Sequence, residues 1–390
     1  MKAIDRFALG DMRLTYWLDD DNHVGLELIP DALADKALEK RGALESLVQL
    51  HVRGDSLPNA YANGQTMALS ESTARMRYVS QARQGDTIVT MLSDGAGRLV
   101  RHYATWREGL QALRVSTEFE NATDAPLTLD LLSSFSLGGL TPFVADDAPG
   151  ALLLHRARSA WSAEGRLDTR SIEELNLETS WARHGVRVEK YGQIGSMPVR
   201  GWFPFGAVED RQTGVTWAAQ LAIPSSWQME IRRKDDSLCV TGGLADYDYG
   251  HWAKTLAPGE RFRSPEAYLT AGIGGVDAVS QRLLTVQREN WVGQDKPLPV
   301  LFNEYCTTWG NPTESNIERI LEKLRGHDVD YFVIDAGWYG EREGEWSESG
   351  GDWIPNETLM FPHGLKHMAD DIRAEGLKPV IWFEAVSECW

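Results

Sequence analysis

Cysteine is scarce in this chain, with three residues in 390: Cys239, Cys306 and Cys389. Their odd number and wide spacing exclude a disulfide framework and a paired-cysteine metal site, and point to a reducing, cytoplasmic location. The amino terminus, MKAIDRFALGDMRLTYWL, lacks a continuous apolar h-region and a small-residue cleavage site, so no secretory signal is expected. Asn121-Ala122-Thr123 therefore reads as a chance match to a glycosylation sequon. No apolar run reaches the roughly 18 residues that a membrane-spanning helix needs. Positive charge is also in deficit: 39 Lys and Arg stand against 57 Asp and Glu, a net charge of -18. Such a surface repels phosphate backbones and anionic lipid, which excludes nucleic acid and membranes as partners. No histidine or cysteine cluster has metal-ligand spacing, and no metal or organic cofactor is expected.

What is abundant is tryptophan, with 15 residues. Trp309, Trp338, Trp346, Trp353, Trp382 and Trp390 all fall in the last quarter. Their ordinary use is core packing, but a flat apolar ring also matches the C–H face of a sugar.

The length suggests two or three domains. Up to about residue 270, short apolar or alternating runs are separated by turn residues. Met12–Leu18, Val24–Ile29, Leu47–Val52, Thr87–Leu92, Leu99–Trp106, Leu113–Phe119, Leu127–Phe135, Val186–Tyr191, Val215–Ala222 and Trp227–Ile231 are such runs. This predicts a large two-sheet antiparallel sandwich over 1–275, with a short helix at Asp31–Lys40. The period then changes. Val279, Leu283, Leu284 and Val286 have helical spacing, giving a connecting helix and Pro-bearing linker over 276–299. From Val300 the pattern alternates strand, helix, strand, helix, strand. The strands are Val300–Phe302, Tyr331–Ile334 and Pro379–Phe383, and Thr313 caps the first helix. Apolar strands separated by amphipathic helices predict a parallel sheet, the first βαβαβ portion of an α/β (β/α)8 barrel over 300–390.

Each of these strands ends in polar or acidic residues: Asn303-Glu304, Asp335 and Glu384. Taken singly, they are ordinary loop caps. Parallel strands bring their carboxyl ends to one rim, where barrels of this kind bind ligands, and three in register beside Trp338, Trp353 and Trp382 indicate a site. The loop from Asp335 to the next helix is long, as functional loops often are. No Gly-rich phosphate loop follows any of the strands, which speaks against a nucleotide-binding protein.

The segments NEYCTTWGNPTE, YFVIDAGWYG, GDW and FPHGLKHMADDIRAEGLKPVIWFE resemble glycoside hydrolase family 36, the bacterial α-galactosidases. PFGAVEDRQTGVTWAAQL and HWAKTLAPGERFRSPEAYLT are similar to that family's N-terminal β-supersandwich. The resemblance implies a retaining hydrolase that removes terminal α-galactosyl residues from oligosaccharides and self-associates. Asp335 matches the first Asp of the family's DDGW motif, which hydrogen-bonds galactose hydroxyls. Trp382 matches the tryptophan of the WFEPE strand beside the sugar. Tyr305 stands where many members have tryptophan, and Trp338, Asp352, Trp353 and Glu384 match further motif positions. Two departures mark a variant pocket: Ala336 replaces the second Asp, and AVSECW follows Glu384 in place of PEMVN. Retaining glycosidases need two carboxylates about 5–5.5 Å apart. The family's KxDxN nucleophile motif does not occur in this sequence. No residue is therefore assigned a catalytic role, and a fragment lacking nucleophile and acid/base is expected to be inactive alone. The competing reading is a non-catalytic carbohydrate-binding or scaffold protein.

Overall fold

The computed structural model describes residues 1–38, 44–58, 66–67, 70–179, 186–197, 199–234, 236–247, 249–288, 296–340, 346–348, 351 and 353–384. The chain divides into two compact units, Met1–Trp291 and Val292–Trp390.

The first unit is almost entirely antiparallel sheet. Its largest sheet has ten strands. Nine run in the order Arg166–Ser171, Leu152–Ser159, Gly201–Asp210, Val215–Ala222, Glu266–Ile273, Leu113–Asn121, Arg98–Thr105, Thr87–Ser93 and Arg77–Gln84, and Arg261–Arg263 pairs with Leu113–Asn121. A six-stranded sheet runs Val186–Gln193, Trp227–Lys234, Ser237–Leu244, Leu127–Leu140 and Lys254–Leu256, with Leu50–Val52 also on Leu127–Leu140. A third sheet is the meander Lys2–Leu9, Met12–Leu18 and Val24–Pro30; its second and third strands match runs read from the sequence, while the first strand and its separation from the two-sheet sandwich were not expected. Met12, Leu14 and Tyr16 from its middle strand enter one continuous core with Phe119, Phe135, Trp217, Trp227 and Met229. The Trp217 indole donates to the Leu28 carbonyl at 2.7 Å, so this buried ring is also polar-satisfied against the meander.

Alternation marks a strand only when one face is wet. Ser237–Leu244 is buried at every position after the first and shows none. Gly201–Asp210 is hidden for another reason. Pro204 lies where its pairing with Leu152–Ser159 slips, between Trp202 opposite Arg158 and Gly206 opposite Arg156. An irregularity of this kind is where a residue without an N–H is tolerated. At Asp31 the expected short helix is a 3-10 turn, Asp31–Lys36. Asn121, in the sequon, is buried, and its side-chain amide donates to the carbonyls of Ala125 and Leu256 at 2.9 and 3.0 Å.

The helix Val276–Gln287 buries Val279, Leu283 and Val286 against Ala207, Ala218 and Tyr268 of the ten-stranded sheet. It therefore packs as part of the first unit.

The second unit holds three parallel strands in sequence order, Leu301–Asn303, Tyr331–Ile334 and Lys378–Ile381. The helix Glu314–Leu324 follows the first strand, capped by Thr313, whose hydroxyl accepts from the Asn316 amide at 3.3 Å. It buries Ile317, Ile320 and Leu321, while the helix Leu365–Ala374 buries Met368 and Ile372. Both faces close on Phe332, Ile334, Met360 and Phe361 in a core of this unit's own. A β-supersandwich followed by the opening βαβαβ of a (β/α)8 barrel is the architecture. Among the described residues no helix is long and apolar enough to cross a membrane.

Candidate functional site

The three parallel strands register Asn303 against Val333 and Ile334 against Ile381, so the residues following them share one rim. Asp335 is the centre of it. The Asn303 side-chain amide donates to its carboxylate at 2.5 Å, and its own backbone N–H donates to Glu304 at 2.9 Å. Ala336 N–H donates to the other carboxylate oxygen at 2.6 Å. The carboxylate of Asp335 is thus oriented from the first strand and from its own loop, half-buried and facing the rim.

Glu304 plays a different part. It is fully buried and holds the Thr308 hydroxyl as well as the Asp335 amide. Burial pushes its carboxyl up from the usual range, against the pull of the Thr308 and Asp335 hydrogen bonds. It braces Asp335 and takes no place on the open surface.

The aromatic residues sort by burial. Trp338 is only 4 % exposed and belongs to the core; its indole donates to the Trp382 carbonyl at 2.8 Å, fastening the second strand's loop to the end of the third. Trp353 stacks on Trp338 with centroids 6.1 Å apart and meets Trp382 edge-on at 6.0 Å. Its backbone is left-handed, at φ 51°. Tyr305 contacts Trp309 and Trp346 edge-on at 5.9 and 6.0 Å, and its N–H donates to the Asn303 side chain at 2.9 Å. Glu384 is exposed. Asp352 lies outside the described residues.

Asn303, which the sequence marked only as a strand end, is thereby tied to both Asp335 and Tyr305. Ala336 is buried at 2 % exposure, so the position where the family motif has a second Asp is enclosed here. The neighbouring Gly337 has φ 109°, and a Cβ there would fall 2.1 Å from the Gly310 carbonyl oxygen. Only glycine lets the loop pass so close to the segment behind Tyr305. Among the described residues, no group of three or more His, Cys, Asp or Glu could hold a metal ion.

An antiparallel sandwich together with parallel barrel strands, whose carboxyl rim carries a carboxylate and tryptophans, defines a sandwich-plus-(β/α)-barrel protein. Comparison with known proteins makes this specific. A family profile described as Melibiase matches residues 261–388. Alpha-galactosidase Mel36A of Lactobacillus acidophilus is 31 % identical over 189 residues, covering 46 % of this chain and 25 % of the relative. Alpha-galactosidase AgaA of Geobacillus stearothermophilus is 30 % identical over 315 residues, covering 79 % of this chain and 40 % of the relative. The crystal structure of that AgaA superposes with a TM-score of 0.74 at 18 % identity, over 97 % of this chain and 56 % of the other. The same organism's AgaB gives 0.72 at 17 %, over 98 % and 57 %. Over most of its length the chain is similar to the N-terminal portion of glycoside hydrolase family 36 α-galactosidases, running into the barrel. It spans less than half the length of these curated relatives.

Proposed function

We propose that this chain carries the sugar-recognition side of a retaining glycoside hydrolase acting on terminal α-galactosides. The observation that carries the reading is Asp335, a strand-end carboxylate aimed by Asn303 and braced by Glu304 at the rim that holds Trp353 and Trp382. A carboxylate accepts hydroxyl hydrogen bonds, and the flat face of an aromatic ring packs a sugar's C–H face. Tyr305, Trp353, Trp382 and Glu384 are assigned to the substrate side, with Asp352 as a further acceptor. Trp338 supports the pocket wall from within the core. Relatives of this fold have been crystallised with stachyose and with raffinose, which makes α-galactosyl oligosaccharides the substrates of choice here. Residues 1–275 form the supersandwich domain in this reading and 300–390 open the barrel.

No nucleophile or acid/base is assigned within these residues, so the chain alone is inactive on this account. The test is turnover of a chromogenic α-galactoside by the 390-residue chain and by a chain extended through all eight barrel strands. The extended chain hydrolyses it and the shorter one does not. In the extended chain Asp335→Ala loses a buried hydroxyl acceptor, about 1–3 kcal/mol, or a factor of about 5–150 in kcat/KM. Equal turnover by both chains would remove this reading; an extended chain that binds raffinose without cleaving it would establish the carbohydrate-binding alternative.

A further inference from the structure

The meander of the first unit turns one face to the core and its other face to a cavity of about 370 Å³. That volume is in the range of small-molecule sites, about 300–1,000 Å³. On the cavity face the register sets Arg6 opposite Thr15 and Thr15 opposite Glu27, with Trp17 beside them. The Arg6 guanidinium lies 5.6 Å from the Trp17 ring centroid. Ile29, Ala34, Ala37 and Pro142 add apolar wall.

Glu45 lines the cavity where it meets the six-stranded sheet, and it is held there with little freedom. A Cβ on Gly25 would fall 2.6 Å from the Glu45 carbonyl oxygen, and one on Gly138 would fall 2.3 Å from the Glu45 Cβ. Glycine at both positions is what allows Glu45 its place. Its carboxylate takes the Arg232 guanidinium, the Gln49 amide at 2.5 Å and the Cys239 thiol at 3.3 Å. Arg232 is 2 % exposed, and its Nε and Nη1 have no partner among the described residues, nor does Gln49 Oε1. Arg232 and Gln49 stand behind Glu45 and do not line the cavity themselves, so it is the Glu45 carboxylate that gives this end of the cavity its polar floor.

The charges decide what fits. The described lining residues carry four cations, Arg6, Arg13, Lys234 and the Met1 amino terminus, and three carboxylates, Glu27, Asp35 and Glu45. Arg13 is already neutralised by Asp31 at 2.8 Å. An ionic ligand would upset this balance, and a purely apolar one would bury Glu27 and Glu45 against hydrocarbon. A neutral ring with many hydroxyls uses donors and acceptors alike and lays its C–H face on apolar wall.

We propose that this cavity is a second, non-catalytic saccharide site, taking a neutral sugar through Trp17, Glu27 and the Glu45 floor. It shares no residue with the barrel rim and holds whether or not that rim binds galactosides. Raffinose titrated into the 390-residue chain by isothermal calorimetry tests it. Binding is expected in the native chain, about tenfold weaker in Glu27→Gln and abolished in Ala34→Trp, which fills the cavity, with both variants melting as the native chain does. Both variants are also measured in an Asp335→Ala background, where the raffinose still bound is held by the cavity. Absence of binding in the native chain, or undiminished binding in both folded cavity variants, overturns the site. Binding lost in Asp335→Ala and kept in the cavity variants assigns the sugar to the rim alone. Competition by galacturonate or by a fatty acid more strongly than by galactose would overturn the neutral-sugar assignment.

Discussion

Two buried ionisable side chains in the sandwich pull its pH dependence in opposite directions. Glu230 is fully buried and accepts the Met67 N–H at 3.0 Å. Burial pushes its carboxyl up to about 7, although Lys190 and the Met67 hydrogen bond oppose this. Between the unfolded value of 4.5 and about 7 the folded chain binds more protons at Glu230 than the unfolded chain, so this contribution falls as pH rises through that window. His102 is fully buried too, with Nδ1 unpartnered among the described residues, and burial lowers it to about 4. Its stabilisation is complete above 6.5 and is lost as pH falls towards 4. Each contribution is on the order of 3 kcal/mol, and between 4.5 and 6.5 they cancel. Glu230→Gln, which keeps an acceptor for Met67, is expected to leave a chain that gains stability from pH 4 to 6.5. His102→Gln leaves one that loses stability from pH 4.5 to 7. Urea denaturation midpoints across pH 4–8 check both, and parallel curves for the two variants would contradict the assignment. Neither role was legible in the sequence, because a charged letter in a strand does not say how deeply its side chain is buried. Asp335 was legible: it follows a continuous apolar strand, and that position alone puts it on a rim.

At the level of elements, the barrel strands and helices were readable because each helix has one apolar face and each strand is a compact apolar run. The strand ends shifted by a residue or two, with Leu301–Asn303 and Lys378–Ile381 in place of Val300–Phe302 and Pro379–Phe383. Thr313 was readable as a cap by its residue type before a helical pattern, and Thr313→Ala should cost about 1 kcal/mol in the second unit's unfolding. The loop after the second strand was readable only as long and glycine-bearing. What makes Gly337 necessary is its approach to Gly310, two segments far apart in sequence. Gly337→Ala combines a left-handed φ with that clash, and a loss of about 1–3 kcal/mol is expected. Near-UV circular dichroism of the tryptophans around Trp338 and Trp353 should report it directly, and a native-like spectrum and midpoint would contradict it. Ser237–Leu244 and Gly201–Asp210 escaped the sequence reading for the reasons their burial and the Pro204 irregularity supply.

At the scale of the molecule, the two units differ in how far their sheets are completed. Among the described residues neither Leu301–Asn303 nor Lys378–Ile381 has a further strand beyond it, and Val300, Leu301 and Phe383 are at least half exposed. Unpaired edges with apolar surface template association between chains. The 390-residue chain is therefore expected to self-associate with rising concentration in light-scattering measurements. Hydrogen exchange should be faster over 300–384 than in the sandwich core; equal protection in both would argue against an incomplete sheet. By itself the sequence determined the division into antiparallel and parallel halves, the order of the barrel's first elements and the rim position of Asp335. These depend on local periodicity and on where apolar runs stop. Only the tertiary structure decided that Asn303 and Glu304 aim and brace Asp335, that Trp338 is core, and that Glu45 sits between Gly25 and Gly138 on a cavity. Those depend on contacts between residues tens to hundreds of positions apart, which no local pattern encodes.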